Sequence, residues 1–273
     1  MIMKKINSSA QFVAYERKHR MLILFSQIAL ALILIGLWEV LARLGVINVF
    51  LVSKPSDIFN LFIKYVKSGE LFGHIKISVF ETLLGLVFGT LLGLIIGILL
   101  WWNELIAKIL DPFLVVLNAL PKTALAPILI IWAGTGIKGI VLVAISLSIV
   151  VTILSSYNYF ISVDKEQIKM MKTMNASKFQ ILTKLVIPAN IANIINIIKI
   201  NIGMSWVGVI VGEFLVSREG IGYLVVYGGQ VFKLDLVMMG VFILGIIALL
   251  MYLVLNSIEK YYRNKRYARK KKN

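Results

Sequence analysis

The stretch SVDKEQIKMMKTMNASKFQILTKLVIPAN, residues 162–190, lies between two long apolar runs of the chain. It carries five lysines and two acids, Asp164 and Glu166. Apolar residues make up 59% of the 273 positions and the mean hydropathy is +0.90, which excludes an ordinary soluble domain. In a protein with several membrane spans, an amphipathic loop of this kind is a docking surface more often than a spacer. The loop therefore indicates a transport subunit that a separate, soluble partner drives.

Hydropathy predicts about six membrane-spanning helices, because six apolar runs approach or exceed the roughly 20 residues that a helix needs to cross the hydrocarbon core. Unbroken runs of this length favour helices over barrel strands, which alternate over about ten residues. The expected fold class is an all-α integral membrane protein. The predicted spans are residues 21–42, 77–102, 112–133, 138–160, 190–216 and 236–258.

The formal net charge of +16 is concentrated in three segments. Residues 1–20 carry five Lys or Arg against Glu16, residues 162–190 carry five against two acids, and residues 259–273 carry eight against Glu259. The positive-inside rule assigns all three segments to the cytoplasm, which an even number of spans permits. We therefore expect a multi-pass protein of the bacterial plasma membrane with both termini cytoplasmic.

This topology divides the chain into a basic N-terminal tail (1–20), a first span with an external segment (21–76), a core of five spans (77–258) and a basic C-terminal tail (259–273). The external part of the second region is itself rich in lysine, which Asp57 and Glu70 balance only in part. Basic tails attached to membrane spans fix orientation and contact anionic lipid. We expect lipid, not nucleic acid, as their partner.

Residue types that support catalysis or metal binding are scarce. The chain has no cysteine and two histidines, His19 and His74, so it has no thiol nucleophile and too few imidazoles for a metal site or a catalytic triad. The run at 134–139 fits G-x-G-x-x-G but joins two apolar spans, which indicates a short turn. The sequence has no G-x-x-x-x-G-K-[ST] motif. We predict no catalytic residue, metal or cofactor here, and expect another chain to bind any ATP and Mg²⁺.

The second predicted span carries a glycine at every fourth residue. On a helix, this spacing makes a groove without side chains, in which another backbone can approach closely. Static packing is the commoner use of such a face, and a sliding helix pair is the alternative. The predicted helix-packing residues are Gly85, Gly89, Gly93 and Gly97.

The third predicted span contains Lys122 between Pro121 and Pro127. The two prolines remove backbone donors and kink the helix. A charged group at that depth is costly unless it faces water, protein or a substrate path. Lys122 is thus either a residue of a translocation path, where it would favour anions, or a residue close enough to the interface for its side chain to reach water.

Polar residues of the fifth predicted span share one face. Asn196, Lys199, Gly203 and Trp206 fall within an arc of about 80°. They are compatible with lining a path and equally with hydrogen bonding between helices. The predicted path residues are Asn118, Pro121, Lys122, Asn196, Lys199, Trp206 and Glu213.

Three blocks carry a resemblance to a known family: NALPKTALAPILIIWAGTG (118–136), KMMKTMNASKFQILTKLVIPA (169–189) and SWVGVIVGEFLVSREGIGYLV (205–225). In order and spacing they resemble the permease subunit of binding-protein-dependent ABC importers, nearest to the nitrate/sulfonate/taurine and thiamine-precursor group. The resemblance implies a type I importer bundle in which two permease copies form the pore. It also implies two ATPase subunits on the cytoplasmic loops and an extracytoplasmic substrate-binding protein.

The middle block resembles the family's cytoplasmic EAA loop, E-A-A-x-x-x-G-A followed about a dozen residues later by L/I-P. Because Asn tolerates the left-handed or turn conformation that glycine would supply, the bend of the motif can persist. The resemblance implies a coupling helix that sits in a groove of the ATPase. The corresponding residues are Lys169, Met170 and Met171 at E-A-A, Asn175 and Ala176 at G-A, and Ile187 and Pro188 at the terminal pair. The contact is expected at Ala176, Ser177, Lys178 and Phe179.

Two positions depart from the family pattern. Where the family often has Arg three residues after the serine of span two, this chain has Ser78 followed by Glu81. The G-L-G after span five is Gly220-Ile221-Gly222 here. Substrate specificity in such systems resides largely in the binding protein, so nitrate, alkanesulfonates, taurine and pyrimidine or riboflavin-type vitamins all stay open.

The alternative function, from a different class of transport protein, is a secondary transporter or channel that works without a partner ATPase. It predicts a buried carboxylate or His relay and often inverted repeats, neither of which the sequence displays. A membrane enzyme is weaker still, because no paired carboxylates or His clusters are expected at matched depth.

Overall fold

The computed structural model describes residues 9–270, and the described chain is helical. It divides into two compact units, Met1–Lys64 and Tyr65–Asn273. The α-helices are α1 Ser9–Arg43, α2 Val49–Val52, α3 Pro55–Ser68, α4 Glu70–Trp102, α5 Glu104–Ala119, α6 Ala126–Ala133, α7 Ile137–Ile161, α8 Lys165–Thr173, α9 Lys178–Ile181, α10 Ile187–Ala189, α11 Ile191–Val216, α12 Ile221–Gln230 and α13 Leu234–Lys270.

Five of the described helices are long and apolar enough to span a membrane, and the number is six if a bent pair is counted as one span. This agrees with the predicted fold class of an all-α membrane protein with about six spans. Helix α13 continues as helix through Lys270, into the predicted C-terminal tail. The ends of the two basic tails, residues 1–8 and 271–273, lie outside the described residues. The single spans are Tyr15–Arg43, Glu70–Trp102, Ile137–Ile161, Ile191–Val216 and Leu234–Ser257.

The first unit is organised around Glu39, near the end of α1. Its carboxylate accepts hydrogen bonds from Arg43 Nε (2.6 Å) and from the Ser56 amide at the start of α3 (3.0 Å). Asn48 begins the short helix α2 by accepting a hydrogen bond from the Phe50 amide (2.9 Å). These bonds hold the turn after the first span.

The predicted third span, 112–133, differs from the structure in its start and in its shape. It begins at Glu104 and consists of α5 and the segment Lys122–Ala133, bent by 86°. The break lies at Leu120 and Pro121, where the chain leaves the helical conformation. Pro127 sits in the first turn of α6, where its missing N–H breaks no helical bond. Of the two prolines that predicted a kink, only Pro121 therefore lies at the break.

The second unit is built on α4, α7 and α11. The glycine face of α4 lies against a face of small residues on α7, also spaced by four: Gly85 opposite Ala144, Gly89 opposite Ser148, Gly93 opposite Thr152 and Gly97 opposite Ser156. A Cβ on Gly85 or on Gly93 would lie 2.5 Å from the Cβ of the residue opposite. The two backbones therefore approach too closely for any side chain on α4 at these positions.

Helix α11 packs against α7 in the same way and also contacts α4. A Cβ on Gly208 would lie 2.5 Å from the Cα of Ala144, and one on Gly212 would lie 3.0 Å from the Cα of Ile140. Ala144 is fully buried between the two glycine faces. The three helices thus form a closely packed bundle in which each contacts the other two, and the loops extend from both of its ends.

Candidate functional site

Residues 162–190 form a short helical unit between α7 and α11. It consists of α8, α9, a π-helical turn at Leu182–Val186, and α10. Asp164 caps α8 by accepting a hydrogen bond from the Glu166 amide (2.9 Å). A side-chain cap of this kind stabilises a helix by about 1 kcal/mol. The loop is therefore ordered from its first turn.

The bend between α8 and α9 lies at Asn175, the position where the family motif has glycine. Its φ is +58°, in the left-handed region that Asn tolerates better than most residues. Ser177 then starts α9 with a capping box: its side chain accepts from the Gln180 amide, and the Gln180 side chain accepts from the Ser177 amide (2.8 Å). Together the bend and the cap fix the angle between the two helices.

One side of the loop is packed against the membrane-spanning helices. A buried cluster connects the end of α7 with α9 and the π-helical turn; its members are Phe160, Val163, Ile181, Leu182 and Val186. Three residues near the end of α4 pack against this cluster: Leu94, Ile98 and Trp101. Met171 and Ala176, two residues of the EAA-like motif, are half-buried and pack against it too.

The other side of the loop exposes apolar side chains. Met170, Met174 and Phe179 are 58%, 75% and 63% exposed. Lys169 and Ser177 are exposed beside them in the sequence. Met174 was not among the predicted contact residues, although its spacing of four from Met170 places both on one helical face. Exposed side chains of this size are candidate anchors for a partner protein.

Lys178 connects the loop to the end of α4. Its ammonium group donates a hydrogen bond to the carbonyl of Trp102, the last residue of α4. It also lies 5.9 Å from the ring centroid of Trp101 and 5.7 Å from that of Trp102. A cation at a helix C-terminus and over an indole face is favourable in both respects. The ammonium group of Lys178, predicted for the partner contact, is thus engaged within the chain.

The chain enters α11 through the π-helical turn and Pro188. In this turn the Ile187 amide donates to the Leu182 carbonyl, five residues back. A wider turn of this kind accommodates Pro188, which has no N–H to donate. The Asn190 side chain donates to the Val186 carbonyl (3.0 Å) and accepts from the Asn193 side chain (2.8 Å). The polar groups at the turn into α11 are thereby paired.

Lys122 lies at the break of the third span. Its ammonium group donates to the Asn118 carbonyl (3.1 Å) and to the Asn118 side-chain oxygen (3.4 Å). These oxygens belong to the last turn of α5, whose carbonyls have no partner further along the helix. Lys122 and Asn118 thus stabilise the break at Pro121. The half-buried position of Lys122 is compatible with both roles proposed for it.

The predicted path residues on α11 differ in burial along one face of the helix. Asn196 and Gly203 are exposed and Lys199 is half-buried, with its ammonium group 6.0 Å from the Tyr252 ring centroid on α13. Trp206 is buried, with 7% of its surface exposed. In the single chain, Asn196, Lys199 and Gly203 therefore lie toward the surface of the bundle, whereas Trp206 is part of its interior.

A buried hydrogen-bond network on α11 was missed by the sequence argument. The Asn201 amide group donates to Thr90 Oγ1 on α4 (2.8 Å) and to Thr152 Oγ1 on α7 (2.7 Å). All three residues are buried. Since Asn201 lies outside the arc of polar residues that the helical periodicity singled out, the only available signal was an Asn in an apolar span.

Glu213 is the centre of a second buried network, at the end of the bundle opposite the 162–190 loop. Its carboxylate accepts from Ser78 Oγ on α4 (2.5 Å) and from the Gly222 amide at the start of α12 (2.6 Å). Ser78 Oγ in turn accepts from the Ile221 amide (2.8 Å). Gly220, with a φ of +102°, passes so close to the Glu213 carboxylate that any side chain there would collide with it. The Gly220-Ile221-Gly222 sequence therefore wraps around Glu213.

Glu81 lies directly beside this network. It is buried, with 1% of its surface exposed, and its carboxyl group is within hydrogen-bonding range of Glu213. The expectation that no carboxylates pair at matched depth was therefore wrong. The two residues stand far apart in the sequence, and each appears there as an isolated acid in an apolar span. Among residues 9–270, no group of three or more His, Cys, Asp or Glu side chains is arranged to hold a metal ion.

Comparison with known proteins places these features in a family. Residues 89–266 match the model of the family described as binding-protein-dependent transport system inner membrane component. The chain is 30% identical over 216 residues to SsuC of Bacillus subtilis, a candidate aliphatic sulfonates transport permease protein, covering 79% of this chain and 78% of SsuC. It is 27% identical to the formylaminopyrimidine transport permease protein ThiX of Halalkalibacterium halodurans, covering 84% and 90%.

The fold has a counterpart among solved structures. A chain of the MetNI methionine ABC transporter, in an inward facing conformation, superposes with a TM-score of 0.62 at 15% identity, covering 69% of this chain and 94% of the other. The family model, residues 89–266, covers the end of α4, the helices from α5 to α12, most of α13, and the loop between α7 and α11. The chain belongs to the family of inner membrane permease components of binding-protein-dependent ABC importers.

Proposed function

We propose that a separate ABC ATPase docks on the loop formed by α8 and α9 and drives solute import through a pair of these permeases. The observation that carries this proposal is the two-sided loop. One side is a buried cluster continuous with α4 and α7, and the other side exposes Met170, Met174 and Phe179. Apolar side chains held on a rigid support are suited to a groove of a partner protein.

The loop is constructed to transmit a displacement. The Asn175 bend and the Ser177 capping box fix its internal angle. Lys178 connects it to the end of α4, and the buried cluster connects it to the end of α7. When ATP closes the ATPase dimer, the loop moves with it, and α4 and α7 follow as one body. The permease pair then alternates between its two open states.

The charge distribution supports the membrane orientation of this assembly. With the bent pair counted as one of six spans, both termini and the 162–190 loop fall on one side, and these are the segments in which Lys and Arg are concentrated. By the positive-inside rule this side is the cytoplasm. The ATPase therefore docks from the cytoplasm, and a substrate-binding protein delivers the solute to the opposite face.

We propose a small organic anion or a thiamine-precursor pyrimidine as the class of solute. The names of the relatives SsuC and ThiX favour these two classes. Lys122 and Lys199 place positive charge near the break of the third span and on α11, which favours an anion. Replacing Lys122 by Met is expected to lower the uptake of a labelled alkanesulfonate. Unchanged uptake at equal protein level would remove Lys122 from the path.

Phe179→Glu tests the docking surface. Phe179 is 63% exposed, so the substitution leaves the buried cluster intact and places a charge in the proposed contact. Affinity-tagged wild-type chain, solubilised from its native membrane, is expected to retain an ABC ATPase that Phe179→Glu loses. Phe72→Glu, at a 61% exposed site near the start of α4, is the matched control and is expected to retain it. Equal recovery of the ATPase by both variants would exclude the α8–α9 loop as the docking site.

A further inference from the structure

A cavity opens at the end of the second unit opposite the α8–α9 loop. Its volume is about 480 Å³, and it lies between the first part of α4, the turn before α7 and the segment that follows α11. Its lining includes Glu81, Thr135 and Gly136, with Arg218 and Glu219. The last two side chains are exposed, whereas Glu81 is buried. The cavity thus extends from the surface to a buried carboxyl group.

Glu81 and Glu213 differ in how their carboxyl groups are satisfied. Glu213 accepts hydrogen bonds from the Ser78 hydroxyl and the Gly222 amide. Glu81 Oε2 is buried and has no hydrogen-bond partner among the described residues. Donors directed at a carboxylate stabilise its ionised form. Oε2 of Glu81 is therefore the carboxyl oxygen of this pair at which no donor is directed.

Two carboxyl groups in such close contact cannot both be ionised without a compensating positive charge. The nearest histidine in this network, His74, accepts a hydrogen bond at Nδ1 from the Gly220 amide (3.0 Å), so this nitrogen carries no proton. The ion pairs of the described residues include none with Glu81 or Glu213, and Arg218, which lines the same cavity, is exposed at its mouth. The compensating charge then comes either from a proton shared by the pair or from a cation that enters through the cavity.

We propose that the cavity is a binding site for a single monovalent cation, held by the Glu81 carboxylate. As the cation binds, the proton shared by the two carboxyl groups leaves to solvent, so the net charge of the site is unchanged. One carboxylate with an unsatisfied oxygen matches one positive charge. The cavity lining includes two residues with side-chain oxygens that can ligate a cation, Glu81 and Thr135. An alkali metal ion and the ammonium group of a small solute both carry one positive charge and both bind to oxygen atoms. The site is separate from the ATPase contact and does not depend on the proposed transport cycle.

Direct binding tests the proposal on the full chain alone, purified in detergent, without ATPase, binding protein or transport substrate. The probes are radiolabelled Na⁺ and radiolabelled methylammonium, each measured at equilibrium. Saturable binding of at least one probe, near one per chain, is expected. The probe that binds more tightly identifies the source of the charge as an inorganic ion or an ammonium group. Absence of saturable binding of both probes would overturn the proposal.

Three variants locate the site. Glu81→Gln keeps the shape of the side chain but removes the charge, and Glu81→Arg places a tethered cation beside Glu213, so both are expected to lose saturable binding. Glu70→Gln removes an exposed carboxylate at the start of α4, outside the cavity lining, and is expected to bind as wild type. Unfolding midpoints check that each variant is folded, and Glu81→Arg supplies the answer if Glu81→Gln does not fold. Wild-type binding by a folded Glu81 variant would refute the assignment.

Discussion

The contact between α4 and α7 predicts that adding one methyl group to the glycine face costs measurable stability. In Gly85→Ala the new Cβ would lie 2.5 Å from Ala144 Cβ, while its other neighbours lie at 3.7 Å. Overpacking a close contact of this kind costs about 1–3 kcal/mol. Replacing a helical Gly by Ala also gains about 1 kcal/mol of helix propensity, so the control must carry the same gain.

Gly245→Ala in α13 is that control, since nothing lies within 4 Å of a Cβ at this position. We expect Gly85→Ala to be less stable than Gly245→Ala by about 1–3 kcal/mol in the free energy of unfolding. Reversible unfolding in mixed micelles, followed by the fluorescence of the five tryptophans, measures this difference.

A compensating change sharpens the test. Ala144→Gly removes the methyl group that Ala at position 85 would meet, and combining the two exchanges the partners across the contact. The double variant is expected to recover most of the loss, giving a favourable interaction energy of about 1 kcal/mol or more in a double-mutant cycle. If Gly85→Ala were as stable as Gly245→Ala, or if Ala144→Gly brought no recovery, the close approach of the two helices would be refuted.

Three further outcomes follow from the loop and the buried network. Asn175→Ala is expected to destabilise the loop by about 1–2 kcal/mol, because its φ is +58°, whereas Asn175→Gly is tolerated; limited proteolysis of the loop compares the two. Lys178→Met removes the bond to the α4 C-terminus, so the ATPase is expected to co-purify while uptake per ATP hydrolysed falls; normal coupling in reconstituted vesicles would contradict this. Asn201→Leu leaves both threonine partners without their donor and is expected to lower the unfolding free energy by about 1–3 kcal/mol, while Asn196→Leu, at an exposed site of the same helix, serves as the near-neutral control.

Features with a regular spacing could be predicted from the sequence. Apolar runs predicted six spans, and the spacing of glycine by four predicted a backbone contact on α4. The face on α7 that meets it has the same spacing, Ala144, Ser148, Thr152 and Ser156, but these are common residues in an apolar helix. The three hydroxyl groups also bond to carbonyls of their own helix, so they carry no excess polarity that would single out the face.

Features that depend on contacts between distant segments could not be predicted. Ser78 and Glu213 are 135 residues apart, and no periodicity relates Glu81 to Glu213. Lys178 was predicted as a partner contact because it lies in the motif, yet its position relative to Trp102 depends on the bend at Asn175. The 86° bend of the third span depends on tertiary packing, since a proline fixes where a helix breaks but not the direction of the next one.

The matching periods of α4 and α7 leave their register only weakly determined by packing. If α4 shifted by one helical turn, about 5.4 Å, three of its four glycines would again stand opposite a small residue of α7, and the fourth would meet Ile140 or Phe160. Asn201 removes this degeneracy, because it bonds to Thr90 and to Thr152 together. One turn before and after Thr90 the chain has Leu86 and Leu94, which cannot accept a hydrogen bond. A single polar side chain therefore specifies the axial alignment of two membrane helices, as a buried Asn does in a coiled coil.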